Sequence, residues 1–127
     1  MSGLNLVDSS GWLEYLVGSD RARLYSAPIS ATSNLIVPVI SIYEVVKRIL
    51  REGDEEDANQ ALQAMTQGTV VDVDYSIALD AVRFRLPMAD SIIYATAQHF
   101  QATLWTQDED FEGLPGVRYF PKGKFCR

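Results

Sequence analysis

Asp8, Glu44, Asp90 and the acidic run of Asp108, Glu109, Asp110 and Glu112 are the residues of this chain whose type and setting could do chemistry. Each stands at the edge of an apolar segment, in "LVDSSG", "SIYEVV", "PMADSI" and "LWTQDEDFEG". Carboxylates gathered in one cleft repel one another and raise each other's pKa, so a gathered set calls for a cation. His99 and Cys126 are the softer donors, and neither falls near the acids in the pattern. That leaves an all-oxygen set, suited to Mg²⁺ or Mn²⁺ rather than zinc. Such ions serve phosphoryl transfer by activating water and offsetting charge on phosphate oxygens.

Whether the acids can meet depends on the elements that carry them. The chain has 127 residues, which suits a single domain spanning 1–127 with a core that needs no disulfide or structural metal. "LNLVD" (Leu4 to Asp8) reads as a buried strand and "SSGWLEYLVG" as the helix after it; "LIVPV" (Leu35 to Val39) is a second strand with Pro38 at its end. Ile42, Val45, Val46, Ile49 and Leu50 form a helical stripe, with Ser41 and Glu44 spaced as a capping box and Gly53 as the stop. "DEEDANQALQAM" starts another helix, and "TVVDV" (Thr69 to Val73) is a third strand. Helical "SIALDAVRFRL" follows, and then a helix opened by Pro87 with Ala89, Ile93, Ala97 and Phe100 as its buried stripe. "ATLWT" (Ala102 to Thr106) and "VRYF" (Val117 to Phe120) complete the strands.

Strands alternating with helices predict a three-layer α/β/α fold around a mostly parallel sheet of four to five strands. In the order 3-2-1-4-5 the first and fourth strands are neighbours where the strand order reverses, and ligands bind beyond the carboxyl ends of strands at such a point. Asp8 ends the first strand, Asp108 lies just past the fourth, and Glu44 and Asp90 come from helix starts on the same edge, so all four would face one cleft. Each acid also has a purely structural reading. Asp8 suits a helix N-cap, Glu44 the capping box, Asp90 the helix dipole, and the run from Asp108 a solvated turn.

Composition narrows the partners. A formal charge of -6 disfavours a broad basic surface for nucleic acid, so nucleic acid would be handled with the help of divalent cations. The N-terminal segment has no basic stretch of the kind that opens a signal peptide, and the most apolar segment, Leu35 to Val46, contains Pro38, Ser41 and Glu44, so no membrane span is expected. The one cysteine, Cys126, fits a reducing compartment, and the expectation is a cytoplasmic protein.

Four blocks in order, "LVDSSGWLEYL", "VISIYEVVKRI", "LPMADSIIYATAQ" and "LWTQDEDFEGLPGV", resemble the PIN-domain ribonucleases, specifically the VapC-type toxins of toxin–antitoxin pairs, over nearly the whole chain. The resemblance implies a metal-dependent endoribonuclease that hydrolyses RNA phosphodiesters and leaves a 5′ phosphate. It implies that Asp8, Glu44, Asp90 and Asp108 are catalytic. Asp8, Asp90 and Asp108 would bind the metal directly, Glu44 a second ion or its water, and Asp110 would assist. Thr106 matches the family's hydroxyl residue before the fourth acid and would orient a ligand carboxylate. Ser9 would do the same beside Asp8, where it is equally placed to cap a helix. Phe111 would pack inward, with Glu109 and Glu112 in solvent.

The implied partner is a cognate antitoxin, whose basic segment suits this chain's charge, in a homodimer or a toxin–antitoxin hetero-oligomer. Trp12, Tyr15, Leu16, Tyr43, Lys47, Arg48 and Arg51 are candidates for protein contacts, although aromatics at helical spacing also suit a core, and Arg83, Arg85, Lys122 and Lys124 are candidates for RNA phosphates. Two other classes compete. A haloacid-dehalogenase-like phosphatase needs D-x-D where this chain reads Asp8-Ser9-Ser10, and a receiver domain needs an acidic pair that is absent here despite Asp72 and Asp74. A non-catalytic acidic module docking a basic partner is the third reading.

Overall fold

β1 (Asn5–Val7), β2 (Leu35–Pro38), β3 (Thr69–Val71), β4 (Thr103–Thr106) and β5 (Val117–Tyr119) form one sheet in the order β3-β2-β1-β4-β5, with every neighbouring pair parallel. The computed structural model describes residues 3–122; Lys124 and Cys126 lie outside them. Six helices, α1 (Ser9–Val17), α2 (Ser26–Ser30), α3 (Val39–Glu52), α4 (Glu55–Met65), α5 (Tyr75–Ala81) and α6 (Met88–His99), cover the sheet among the described residues.

Successive strand residues point to opposite faces, and the two cores follow that alternation. Val7, Leu35 and Val37 join Trp12, Tyr25, Val45, Ala61 and Met65 on one face. Leu6, Ile36 and Leu104 meet Ile93, Tyr94, Ala97 and Phe111 on the other. Covered on both sides, the strands read as short apolar runs rather than alternating ones. Burying one such Leu or Ile is worth roughly 1.5–3 kcal/mol, so these few strand residues anchor both helical layers.

β1 passes into α1 with no loop, and α1 lies so close that a Cβ on Gly11 would stand 2.6 Å from the Tyr25 ring and 2.8 Å from Val7. Only glycine permits that approach, and it fixes the first turn of α1 over the end of β1. β2 passes into α3 as directly. Pro38 precedes the helix, which begins at Val39 without a side-chain cap.

That early start overturns the expected capping box. Ser41 falls inside the first turn, fully buried and with no hydrogen-bond partner for its hydroxyl, and Glu44 turns to α1 instead. The stripe of α3 is also narrower than its spacing predicts: Val45 is fully buried, while Leu50 is 46% exposed. α5 ends at Ala81 rather than continuing through "VRFRL". α6 is buried almost all round, at Ser91, Ile93, Tyr94, Ala95, Thr96 and Ala97, because it is wedged between the sheet, α3 and α5. No helix among the described residues is long and apolar enough to cross a membrane.

Candidate active site

Asp8 follows β1, where its backbone is extended and its side chain caps α1. Its Oδ1 accepts from the Ser9 backbone N–H at 2.8 Å, and its Oδ2 accepts from the hydroxyls of Ser10 at 2.9 Å and Thr106 at 2.8 Å. Thr106, buried at the end of β4 beside β1, also accepts from the Asp108 backbone N–H at 2.9 Å. Asp108 caps a 3-10 turn (Glu109–Phe111), accepting from the Asp110 N–H at 3.0 Å. Phe111 is fully buried and holds that turn down, while Glu109 and Glu112 are exposed. Asp90 comes from the first turn of α6, and Glu44 from α3, where its Oε1 accepts from the Ser9 hydroxyl at 2.6 Å.

Asp8, Glu44, Asp90 and Asp108 line one cleft beyond the carboxyl ends of β1 and β4, the point where strand order reverses. Asp90 and Asp108 of this cleft, together with Asp110 beside it, offer carboxylate oxygens all within 4.8 Å of one another. Asp8 lies outside that grouping, deeper in the protein. Asp110, carried on the 3-10 turn, completes the triad instead. Ser9 reaches Glu44, and the hydroxyl on Asp8 beside it is that of Ser10.

The charges explain why such a cluster needs company. Burial, followed by the charges of Asp108, Asp8, Asp110 and Glu44, pushes the Asp90 carboxyl up from an ordinary 3.8 to about 8. Burial also raises Asp8 to about 6, against hydrogen bonds from Thr106, Ser10 and Ser9 that favour its ionised form. Hard oxygen donors at this spacing, held apart from their preferred ionisation, fit a hard divalent cation. A bound cation would reverse the shift.

Gln107 stands between Thr106 and Asp108 and escapes a reading that looks for acids. It is buried; its Nε2 donates to Glu14 Oε2 at 2.8 Å, and its Oε1 accepts from Arg21 Nε at 2.6 Å. Arg21 in turn donates to the Phe120 carbonyl at 3.1 Å. Hydrogen bonds from Gln107 and Ser19 hold Glu14 below the usual carboxylate range. This network braces the segment carrying Asp108 against α1. Its only sequence signal is a polar residue kept between two site residues at the end of a buried strand.

Other candidates fall elsewhere. Trp12 is fully buried and is unavailable as a protein contact; Tyr15 and Leu16 are partly buried against the same core. Arg83, Arg85 and Lys122 are exposed and do not line the cleft. Asp74 caps α5 after β3, an edge strand separated from β1 by β2, which removes the receiver-like arrangement.

The model of the PIN domain matches residues 6–117 of the chain. Among solved structures, a toxin–antitoxin complex from Klebsiella pneumoniae is 22% identical with a TM-score of 0.79, over 93% of this chain and 99% of that one. DNA-bound VapBC from Salmonella typhimurium is 17% identical with a TM-score of 0.72, over 93% and 98%. VapC20 of Mycobacterium tuberculosis, a sarcin–ricin loop cleaving toxin, is 16% identical with a TM-score of 0.70, over 87% and 94%. Among curated proteins no sequence matches.

Proposed function

The chain belongs to the PIN-domain family, and from that premise we propose that it is a metal-dependent endoribonuclease acting as the toxin of a toxin–antitoxin pair. The observation that carries this reading is the convergence of Asp90, Asp108 and Asp110 oxygens within 4.8 Å at the reversal point of the sheet. Mg²⁺ or Mn²⁺, when bound, lowers the pKa of water and offsets charge on phosphate oxygens. Asp90, Asp108 and Asp110 would hold the cation. Asp8 adds a carboxylate whose direction is set by Ser10 and Thr106, and Glu44, steadied by Ser9, bounds the cleft from α3. Thr106 and Ser9 are positioning residues.

The three donors around Asp8 decide which variant tests the reading. An asparagine there would turn an amide NH₂ toward two hydroxyls that now donate, one of which already accepts from the Asp108 N–H, so both must reorient and Asp8→Asn mixes lost chemistry with a rearranged network. Asp90 has no such cage among the described residues, and Asp90→Asn is the cleaner substitution. Purified protein with cellular RNA should cleave in Mg²⁺ or Mn²⁺ and leave 5′ phosphates, and should stop in excess EDTA or with Asp90→Asn. Full cleavage under either condition would sink the proposal, and an RNA left intact by the wild-type chain would return it to a phosphatase or an acidic docking module.

The partner belongs to the same proposal. One relative is a toxin–antitoxin complex, which supports a cognate antitoxin here, in a homodimer or a hetero-oligomer. The formal charge of -6 suits a basic partner segment.

A further inference from the structure

Tyr43, Lys47 and Arg51 follow one another at i, i+4 and i+8 on α3, so they make a single stripe stepping ~6 Å between members. All are exposed, and all line the cleft that holds Asp8, Glu44, Asp90 and Asp108. Tyr43 is 60% exposed and belongs to none of the buried clusters. Lys47 Nζ donates to the Tyr43 hydroxyl at 3.2 Å and stands 5.3 Å from its ring centroid. Arg48 is held by Glu52 at 2.7 Å, whereas neither Lys47 nor Arg51 makes an ion pair among the described residues.

Acids that gather a cation also repel the phosphates of any strand beyond the one being cut. Cations on the facing wall, beside an aromatic ring, supply what that strand lacks. We propose that this stripe is the subsite for the RNA strand next to the cleaved bond, with a base stacked on Tyr43 and neighbouring phosphates held by Lys47 and Arg51. The inference rests on the ribonuclease reading above. A π-face takes any base that is free to leave its own stack, and an ammonium or guanidinium takes a phosphate without regard to sequence. The subsite therefore favours an unpaired nucleotide, because a base locked in a duplex cannot reach the ring.

Binding of a labelled, mixed-sequence single-stranded RNA, and of the same RNA in duplex form, is measured against salt in the presence of Mg²⁺, with every variant made in an Asp90→Asn background so that the RNA is not cut. Tyr43→Leu should weaken single-strand binding about tenfold and leave duplex binding unchanged, while Tyr43→Phe, which keeps the ring, should behave as wild type. Lys47→Gln with Arg51→Gln should flatten the dependence of log affinity on log salt by about 0.7 per cation removed. Equal affinity and equal salt slope in all variants would overturn the inference and leave metal-dependent cleavage standing, with the stripe assigned to a protein contact. No RNA cleavage by the wild-type chain would overturn both readings together.

Discussion

On one wall of the cleft the carboxylates are tied down: Asp8 is buried and takes three hydrogen bonds, and Asp108 is fixed at both its backbone N–H and one oxygen. On the other wall Tyr43, Lys47 and Arg51 stand in solvent on α3, with one hydrogen bond between two of them. The first wall suits work in which a fraction of an ångström matters, since groups held in place need no reorganisation when charge develops. The second suits a ligand whose conformation varies, because long side chains can follow it. The cleft thus divides rigid chemistry from adaptable grip.

Breaking the acidic cluster should have the largest effect. Asp90→Asn should lower RNA cleavage by about three orders of magnitude, the scale of several kcal/mol of lost charge stabilisation, measured as single-turnover rates at saturating Mg²⁺. Thr106→Val, which keeps the shape and removes the hydroxyl, should cost roughly 10–100-fold in metal affinity or rate, and Thr106→Ser should restore most of it. Calorimetric titration with Mn²⁺ separates the two losses.

The same wall makes a prediction about stability. The folded-state values of about 8 for Asp90 and about 6 for Asp8 lie above the ordinary 3.8. Their protonated forms are therefore favoured by folding, and the stabilisation is complete below about pH 4 and is lost as pH rises through 6 and then 8. In EDTA the melting temperature should fall across that window, by roughly 5 °C or more, and Mg²⁺ should recover it. Asp90→Asn should melt higher than wild type in EDTA at about pH 8 and respond less to pH. The opposite ordering would mean that the acids are not crowded.

The adaptable wall should break more gently, by about tenfold for Tyr43→Leu as set out above. Arg48→Ala is the smallest change. Its pair with Glu52 is exposed on both sides, at 51% and 61%, and belongs to a class worth about 0.3–0.5 kcal/mol, so denaturant midpoints and cleavage should barely move.

What could be read in advance follows from which signals are local. Apolar runs alternating with helical stripes predict a parallel sheet covered on both faces, and given the order 3-2-1-4-5 Asp8 and Asp108 fall at the reversal point. The segment between Gly18 and Leu35 carries no such period. Its short α2 and flanking turns are organised by the burial of Tyr25, Pro28 and Ile29, a tertiary effect. The start of α3 misleads for a related reason: Ser41 and Glu44 satisfy a capping pattern, but Pro38 hands the strand straight to the helix, and Glu44 is recruited by Ser9 from another element. Gln107 is invisible as a site residue because its acid is 93 positions away along the chain, and of the adjacent Ser9 and Ser10 only the fold shows which hydroxyl finds Asp8 and which finds Glu44.

The Thr106 hydroxyl carries a single proton. One of its two lone pairs accepts from the Asp108 N–H, and the proton goes to Asp8. A strand end and its neighbour are thereby wired in a fixed direction, and the spacing between their two acids is set by the length of one side chain rather than by the flexing of the sheet. Any drift that slides β4 along β1 must first break that wire, which makes Thr106 a gauge of register: an isotope-shifted hydroxyl resonance at this residue would report whether the two acids still stand at their working separation.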